Sequence, residues 1–187
     1  MRRSVLYCSR PQEQDKWKAP LALQPCPNPQ CRRVGCLIRN GPLRGYGEGS
    51  QRIIRGQRVV CSARRSHGAV GCGKTFSILR ADVLYRRQVN APQLFDFFAG
   101  MLRGLSRRAA WSALGLIFSI RHAYRLWQAF LDHQLRTRQL LSRLLPPPAS
   151  AVADPALQVV QHLQAAFTGV PCPVAAYQLH FQEGFLG

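Results

Sequence analysis

Four of the seven cysteines in this chain have the spacing and the neighbours that metal sites use. Cys26 and Cys31 enclose Pro-Asn-Pro-Gln, a turn that cannot be helical, and Cys61 is followed by ten residues before Cys72. The prolines of the first turn and the glycines around Cys72 allow backbone N–H groups to point at sulfur. Four thiolates make a closed tetrahedral site, which is structural rather than catalytic. We therefore predict a structural Zn²⁺ site with the ligands Cys26, Cys31, Cys61 and Cys72.

Two further residues compete for these ligand positions. Cys36 follows the first pair, and His67 lies between the members of the irregularly spaced second pair. Either would replace a ligand if a pair is misassigned. Cys8 and Cys172 are interpreted as isolated thiols. The alternative to a metal site is a set of unpaired buried thiols, because a chain without a signal peptide favours metal binding or free thiols over disulfides.

The residues around Cys72 also match a nucleotide-binding motif. Gly68 to Thr75 fits the P-loop pattern G-x4-G-K-[ST], in which backbone N–H groups and a lysine bind phosphates. That motif needs a buried strand before it and a long helix directly after it. Here Ala63 to His67 is polar, and Thr75 to Leu79 is typical of a strand. A zinc turn explains the same glycines, so P-loop nucleotide binding is the less favoured alternative.

The charge of the chain favours a polyanionic partner. Its 187 residues include 26 Lys+Arg and 8 Asp+Glu, a formal net charge of +18. Every Lys and Arg lies at or before Arg143, so the formally charged residues after the prolines at 146–148 are all acids. Eight carboxylates leave little material for acid–base catalysis. This composition argues against a metabolic enzyme, predicts no catalytic residue and favours nucleic-acid binding.

The first half of the chain divides into an arm and a cysteine-rich segment. Residues 1–20 are predicted to be a basic N-terminal arm without periodicity. Residues 21–80 are rich in Cys, Gly and Arg, and strand-sized runs occur at Ile53-Ile54, at 57–61 and at 75–79. The stretch from Gly41 to Gly49 is typical of a turn or loop. No helix of useful length is predicted in this segment.

Helical periodicity characterises residues 81–145. Apolar stripes predict helices that begin near Pro92, Ser106 and Ser119, the last of which runs toward Leu145. The three prolines at 146–148 must end that helix and open a Pro-rich linker over 146–154. In the uncharged tail, 155–187, Asp154 and Pro155 predict one helix, and residues 173–186 are predicted to be extended or irregular. The fold class is therefore small α+β.

No segment has the length and hydropathy of a membrane span. The longest uncharged apolar stretch before the prolines, Ala109 to Ile120, is too short to cross a bilayer. The run from Val5 to Cys8 is too short for the apolar centre of a signal peptide. We therefore predict a cytoplasmic, nucleoid-associated protein.

The cysteine-rich segment resembles the N-terminal zinc ribbon of bacterial insertion-sequence transposases. In that family a C-P-x-x-C-like turn is followed by a segment of the type Q-R-Y-R-C-x-x-C-G-R-T-F. The matching segments here are Cys26-Pro-Asn-Pro-Gln-Cys31, Gln57-Arg58-Val59-Val60-Cys61 and Cys72-Gly73-Lys74-Thr75-Phe76. The first cysteine pair is wider than in the family, and the second contains the insertion Ser62 to Gly71. The resemblance implies a ribbon of short antiparallel strands with the same four cysteines as zinc ligands.

The helical segment resembles the helix-turn-helix that commonly follows such a ribbon. Residues 106–115 and 119–127 are similar to its two helices. The catalytic core that the family would place next has no counterpart, because only Asp132, Asp154 and Glu183 follow Asp96. The resemblance thus implies the DNA-binding part of a transposase without its nuclease, as an accessory protein or a remnant.

Candidate nucleic-acid contacts lie on the helix that begins at Ser119. Its apolar stripe (Ile120, Ala123, Tyr124, Trp127, Phe130 and Leu131) leaves Arg121, His122 and Arg125 opposite, near the end where a recognition helix contacts base edges. A solvated face of an ordinary bundle helix would have the same pattern. Ribbon arginines are predicted to contact phosphates, among them Arg52, Arg55 and Arg58. The alternatives are an RNA-binding zinc protein and an interaction module whose tail, 155–187, docks a protein partner.

Overall fold

The computed structural model describes residues 5–9, 21, 23–47, 51–64 and 70–187. These residues contain four strands and five helices: β1 (Val5–Cys8), β2 (Leu37–Tyr46), β3 (Arg52–Cys61), β4 (Thr75–Arg80), α1 (Ala91–Leu102), α2 (Arg107–Ser112), α3 (Ile120–Leu141), α4 (Pro155–Ala166) and α5 (Pro173–Phe181). The predicted small α+β class is therefore confirmed. The chain divides into two compact units, the first comprising Met1–Gly45 and Arg52–Arg80 and the second Tyr46–Gln51 and Ala81–Gly187. None of the described helices is long and apolar enough to cross a membrane.

The first unit is built on a mixed sheet with the strand order β1-β4-β3-β2. β4 pairs antiparallel with β3, between Gly56↔Leu79 and Val60↔Thr75, and parallel with β1. Because side chains alternate along a strand, one face collects apolar residues from all four strands. A small buried core forms on that face, and it contains Leu21, Cys26, Cys36, Leu37, Val59, Cys61, Phe76 and Ile78.

Part of the predicted basic arm, Val5–Cys8, forms the strand β1 although it shows no periodicity. Val5–Cys8 pairs with β4, with Val5 opposite Ser77, and Tyr7 is buried. Four residues are too few to show a periodicity, and their partner strand lies some 70 positions away in the sequence. The parallel pairing also makes the sheet mixed rather than purely antiparallel. Residues 10–20 of the predicted arm lie outside the described residues.

The sequence predicts no strand at β2, and β3 is longer than predicted. Gly41, with φ of 91°, lies inside β2, and the strand continues to Tyr46 where a loop was expected. The two runs expected within 52–61 form one strand, because Gly56 marks a close backbone approach rather than a break. A Cβ at Gly56 would collide with the carbonyl oxygen of Ile78. The connection between β2 and β3 is therefore shorter than expected and begins after Tyr46. There the N–H of Gly47 donates to Gln51 O (2.8 Å).

The helices α1, α2, α3 and α4 of the second unit begin at or beside the residues that the sequence predicts. Asn90 forms a capping box at α1, the Ser106 hydroxyl accepts from Ala109 N at α2, and Asp154 accepts from Ala156 N at α4. α3 begins directly after Ser119 and ends at Leu141, short of the predicted Leu145. Residues 146–154 contain no helix or strand. The core joins side chains from all five helices, including Phe98, Trp111, Phe130, Leu163 and Tyr177.

The tail contains two helices, so the prediction of a single helix with an irregular end is wrong. α5 occupies Pro173–Phe181, and proline suits a first helical position because its missing N–H would have no partner there. The buried Gln178 amide donates to Ala81 O (2.7 Å) and Val83 O (3.1 Å), and it accepts from Phe185 N (3.2 Å). The apolar side chains of α4 and α5 lie in the core of the same unit. These side chains are therefore buried within the chain.

Candidate metal centre and basic surfaces

The four predicted cysteine ligands lie together near the end of β3 and the start of β4. The Sγ atoms of Cys26, Cys31, Cys61 and Cys72 all lie within 4.8 Å of one another. Cys26 Sγ is 3.7 Å from Cys72 Sγ, and Cys31 Sγ is 3.8 Å from Cys61 Sγ. A tetrahedral site with metal–sulfur bonds of about 2.3 Å has edges of about 3.8 Å. The cluster therefore has the dimensions of a four-thiolate metal site, a geometry that suits both zinc and iron.

The first ligand pair is set by a compact turn. The carbonyl of Asn28 accepts from the N–H groups of Cys31 (2.9 Å) and Arg32 (3.0 Å), and Cys26 N donates to Arg33 O (2.9 Å). Arg32 adopts a positive φ of 46°, which reverses the chain directly after the second cysteine. These bonds hold both thiols on the same side of the turn.

The second ligand pair is brought together by the closure of the insertion between its members. Gly71 N donates to Ser62 O (2.5 Å), so the chain leaves the ladder at Ser62 and returns at Gly71. On either side, Cys61 N donates to Lys74 O (2.9 Å) and Gly73 N donates to Cys61 O (2.8 Å). The residues Cys61-Ser62-Gly71-Cys72 therefore occupy the places of a contiguous C-x-x-C turn. The long spacing is compatible with a compact site for this reason.

Two glycines beside Cys72 serve this turn. A Cβ at Gly71 would collide with Cys61 Sγ, and Gly73 adopts a positive φ of 73°. The N–H of Cys72 also donates to Cys61 Sγ (3.1 Å). The helix that a P-loop requires does not follow, because Thr75 begins β4. In the part of the G-x4-G-K-[ST] match that the structure describes, Gly71 and Gly73 thus shape the turn around the cysteine sulfur atoms.

The thiols of the cluster differ in acidity. Burial raises the pKa of Cys26 to about 11, and burial also raises that of Cys61. Cys72 is exposed, and the partial desolvation that raises its pKa is outweighed by the sum of hydrogen bonds from Lys74 N–H and the Asn28 side chain and the effects of the neighbouring thiols. These bonds lower the pKa of Cys72 to about 6.

The other cysteines lie outside the cluster. The Cys36 thiol is buried beside it, 3.1 Å from Cys61 Sγ and 3.1 Å from Arg33 O, but it does not belong to the group of four. Cys8 donates to Leu79 O (3.3 Å), and Cys172 Sγ accepts from Ala175 N at the start of α5. His67, the other rival ligand, lies outside the described residues.

The exposed face of α3 carries two of the three predicted nucleic-acid contacts. Arg121 and Arg125 are exposed one helical turn apart, and neither side chain has a hydrogen-bond or ion-pair partner among the described residues. Tyr124, predicted in the apolar stripe, is 49% exposed beside them, and Leu126 is buried instead. The N-terminal half of α3 therefore presents arginine and tyrosine side chains to solvent.

His122 faces the interior, contrary to the expectation that it shares the arginine face. Its ring stacks on Phe118 (5.0 Å between centroids) and lies 6.0 Å from the Trp111 ring. Burial lowers the pKa of His122, and the nearby positive charges of Arg87 and Arg125 lower it further. Phe118 belongs to the segment between α2 and α3, whose path the helical pattern alone does not predict.

Arg107, which the sequence reasoning missed, extends this basic surface. Its guanidinium lies over the rings of Tyr124 and Trp127, 5.5 Å from each centroid. Such cation–π contacts hold an exposed arginine in a fixed position. The capping signal at Ser106 places Arg107 in the first turn of α2, but only tertiary packing brings it over α3.

In the first unit the predicted ribbon arginines differ in exposure. Arg52 and Arg58 are exposed on β3, whereas Arg55 is half-buried, and a Cβ at Gly45 would meet its side chain. The glycine therefore makes room for Arg55 to lie across the neighbouring strand.

Comparison of the chain with protein-family models, with curated proteins and with solved structures found no match. The resemblance to transposase ribbons thus depends on the sequence motifs alone. Any functional conclusion has to be drawn from the geometry of the cysteine cluster and the basic surfaces.

Proposed function

We propose that this chain is a zinc-containing DNA-binding protein that resembles the DNA-binding part of a transposase, as an accessory protein or a remnant. The observation that carries the proposal is the group of four thiols at tetrahedral spacing in a chain of net charge +18. A closed four-thiolate site has no open coordination position, so its role is structural.

The metal would hold the first unit together. Its ligands link the turn at 26–31 to the end of β3 and to Cys72 in the turn that precedes β4, while the apolar core beside it is small. Structural zinc sites contribute about 10–16 kcal/mol of apparent binding free energy at neutral pH, which is folding free energy when the site forms only in the folded chain. Chelation should therefore unfold the sheet.

DNA recognition is assigned to α2 and α3 as a helix-turn-helix. α2 packs on α3, and Ala113 to Ser119 connect them. Arg121 and Arg125 near the N-terminus of α3 have the type and spacing of arginines that pair with guanine edges in the major groove. Arg107 lies in place beside them, and the absence of a partner for Arg121 and Arg125 among the described residues leaves both available for bases.

The ribbon arginines would add contacts to phosphates. Arg52 and Arg58 are exposed on β3, and the described residues of β2 and β3 include no carboxylate. Contacts of this kind give affinity that falls steeply with salt but carries little sequence information.

The test combines metal analysis of the full chain with binding to duplex DNA and to folded RNA over a range of salt concentrations. We expect one zinc per chain, tighter binding to duplex DNA, and a linear fall of log affinity with log salt concentration. A protein that folds without metal would refute the zinc site. Tighter binding to RNA would favour the alternative of an RNA-binding zinc protein.

The α3 contacts are tested by Arg121→Ala and Arg125→Ala, with Arg143→Ala as an exposed arginine control beyond the end of α3. Each α3 variant should lose about 1–3 kcal/mol of discrimination between a selected DNA site and mixed-sequence DNA. Equal loss on both DNAs would show that these arginines only hold the backbone.

A further inference from the structure

The end of the β2–β3 hairpin differs from the rest of the sheet. β4 pairs with β3 only from Gly56 onward, so Arg52–Arg55 of β3 extends past the last paired residue of β4. Gly45 of β2 lies against the Arg55 side chain, so Leu43–Gly45 and this stretch form a two-stranded segment, here called the hairpin extension. Among the described residues, its strands have each other as neighbours but no third strand.

Each face of the hairpin extension carries an exposed isoleucine, whereas Leu43, Gly45 and Arg55 are half-buried. Ile53 and Ile54 point to opposite faces because they are consecutive on a strand, and their exposed fractions are 36% and 43%. An antiparallel sheet in a globular unit ordinarily packs one face and solvates the other. Two exposed isoleucines on opposite faces are thus the pattern of a strand pair that enters a cleft of another molecule.

The charge of the hairpin extension identifies that molecule. Arg44 and Arg52 are exposed, with no partner for either side chain among the described residues. The major groove of B-form DNA, about 12 Å wide, admits a two-stranded β-ribbon between two rows of phosphates. Arginines can reach those phosphates, and isoleucine can contact the methyl groups of thymine.

We propose that the hairpin extension inserts into the major groove of duplex DNA, where Ile53 and Ile54 contact base edges and Arg44 and Arg52 contact phosphates. This inference rests on the proposed DNA-binding function and assigns the ribbon a role in groove contact besides the phosphate contacts named above. A-form RNA has a deep, narrow major groove that side chains cannot read. The isoleucines should therefore contribute to binding of DNA but not of duplex RNA.

The test measures binding of the full chain, Ile53→Ala and Ile54→Ala to a mixed-sequence DNA duplex of about 30 base pairs and to the RNA duplex of the same sequence. Val34→Ala is the matched control, since Val34 is 53% exposed in the same unit outside the hairpin extension. Each isoleucine variant should weaken DNA binding about three- to tenfold through lost apolar contact, with RNA binding unchanged. Arg44→Ala and Arg52→Ala should each lower the salt slope by about one on DNA.

Metal content confirms that each variant is folded, and Ile53→Thr and Ile54→Thr keep a β-branched side chain in case an alanine variant loses its metal. DNA binding by both isoleucine variants equal to that of the unmodified chain would overturn the inference and leave the proposed function standing. Equal weakening on DNA and RNA would also overturn it. If the unmodified chain shows no salt-dependent binding to DNA, the proposed function itself is overturned.

Discussion

Deleting residues 63–70 should leave the metal site intact. The deletion joins Ser62 to Gly71, whose carbonyl oxygen and nitrogen are already 2.5 Å apart, and produces the contiguous sequence Cys61-Ser62-Gly71-Cys72. It removes Arg64, His67 and the part of the G-x4-G-K-[ST] match that precedes Gly71. If the insertion is only a loop closed by that hydrogen bond, the four ligands keep their positions.

The size of the effect follows from loop closure. Shortening the loop between Cys61 and Cys72 from ten residues to two lowers its closure cost by about 1.4 kcal/mol, or about tenfold in metal affinity. The deletion also removes the hydrogen bond from Arg33 to Val70 O, which contributes about 1 kcal/mol. We therefore expect metal affinity between unchanged and about tenfold tighter.

The assay is competition with a chelator of known affinity, together with the visible absorption of the cobalt(II)-loaded protein, which reports tetrahedral thiolate ligation. Cys72→Ser in the deleted chain is the control, and it should lose the four-thiolate spectrum. Metal affinity that falls more than a hundredfold on deletion would refute the reasoning. Such a loss would mean that the insertion supplies a ligand, with His67 the first candidate.

Two further changes test the local arguments. Gly71→Ala should weaken metal binding at least about tenfold, because its Cβ would collide with Cys61 Sγ. The control Ser62→Ala should leave the metal affinity unchanged, and equal affinities of the two variants in a chelator competition would contradict this. Gln178→Ala should lower the free energy of unfolding by about 2–4 kcal/mol, since it leaves two carbonyls and one N–H without their partner. Urea denaturation measures this loss, with Gln139→Ala at an exposed position as the control. A loss under about 1 kcal/mol would count against the argument.

The helix starts could be predicted because their signals are local. Ser106 and the pair Asp154-Pro155 lie within three residues of the N–H groups that they cap or replace, so a short window of sequence contains the whole interaction. α5 escaped prediction although Pro173 is a good first residue. Its buried face includes the polar Gln178, whereas the apolar Leu179 is exposed, so no one-sided apolar stripe marks it.

The strands were harder to predict because their partners are distant. Whether Val5 begins a strand depends on Ser77, and whether β3 continues through Gly56 depends on the backbone of β4. In a sequence, a glycine commonly indicates a turn, but Gly56 instead permits a close approach between β3 and β4. The pairing decides between these meanings, and local sequence does not contain it.

Local features of the candidate site could be predicted from the sequence, and features that depend on distant residues could not. Cysteine type and turn chemistry were sufficient to select the four thiols that the fold brings together. The closure between Ser62 and Gly71 was not predictable, because it depends on a ladder formed by the flanking strands. His122 was placed on the wrong face because its neighbour Phe118 lies in a connection without periodicity.

The position of β2 at the end of the sheet has a consequence for solubility. An edge strand offers unpaired N–H and C=O groups to which a strand of another chain can add, the first step of aggregation. Pro42 lacks an N–H group, Gly41 departs from extended backbone, and the exposed Arg39 and Arg44 repel a second copy of the same charge. Arg44, proposed above to contact DNA, should thus also help to keep copies of the chain apart, and this repulsion should weaken as salt increases.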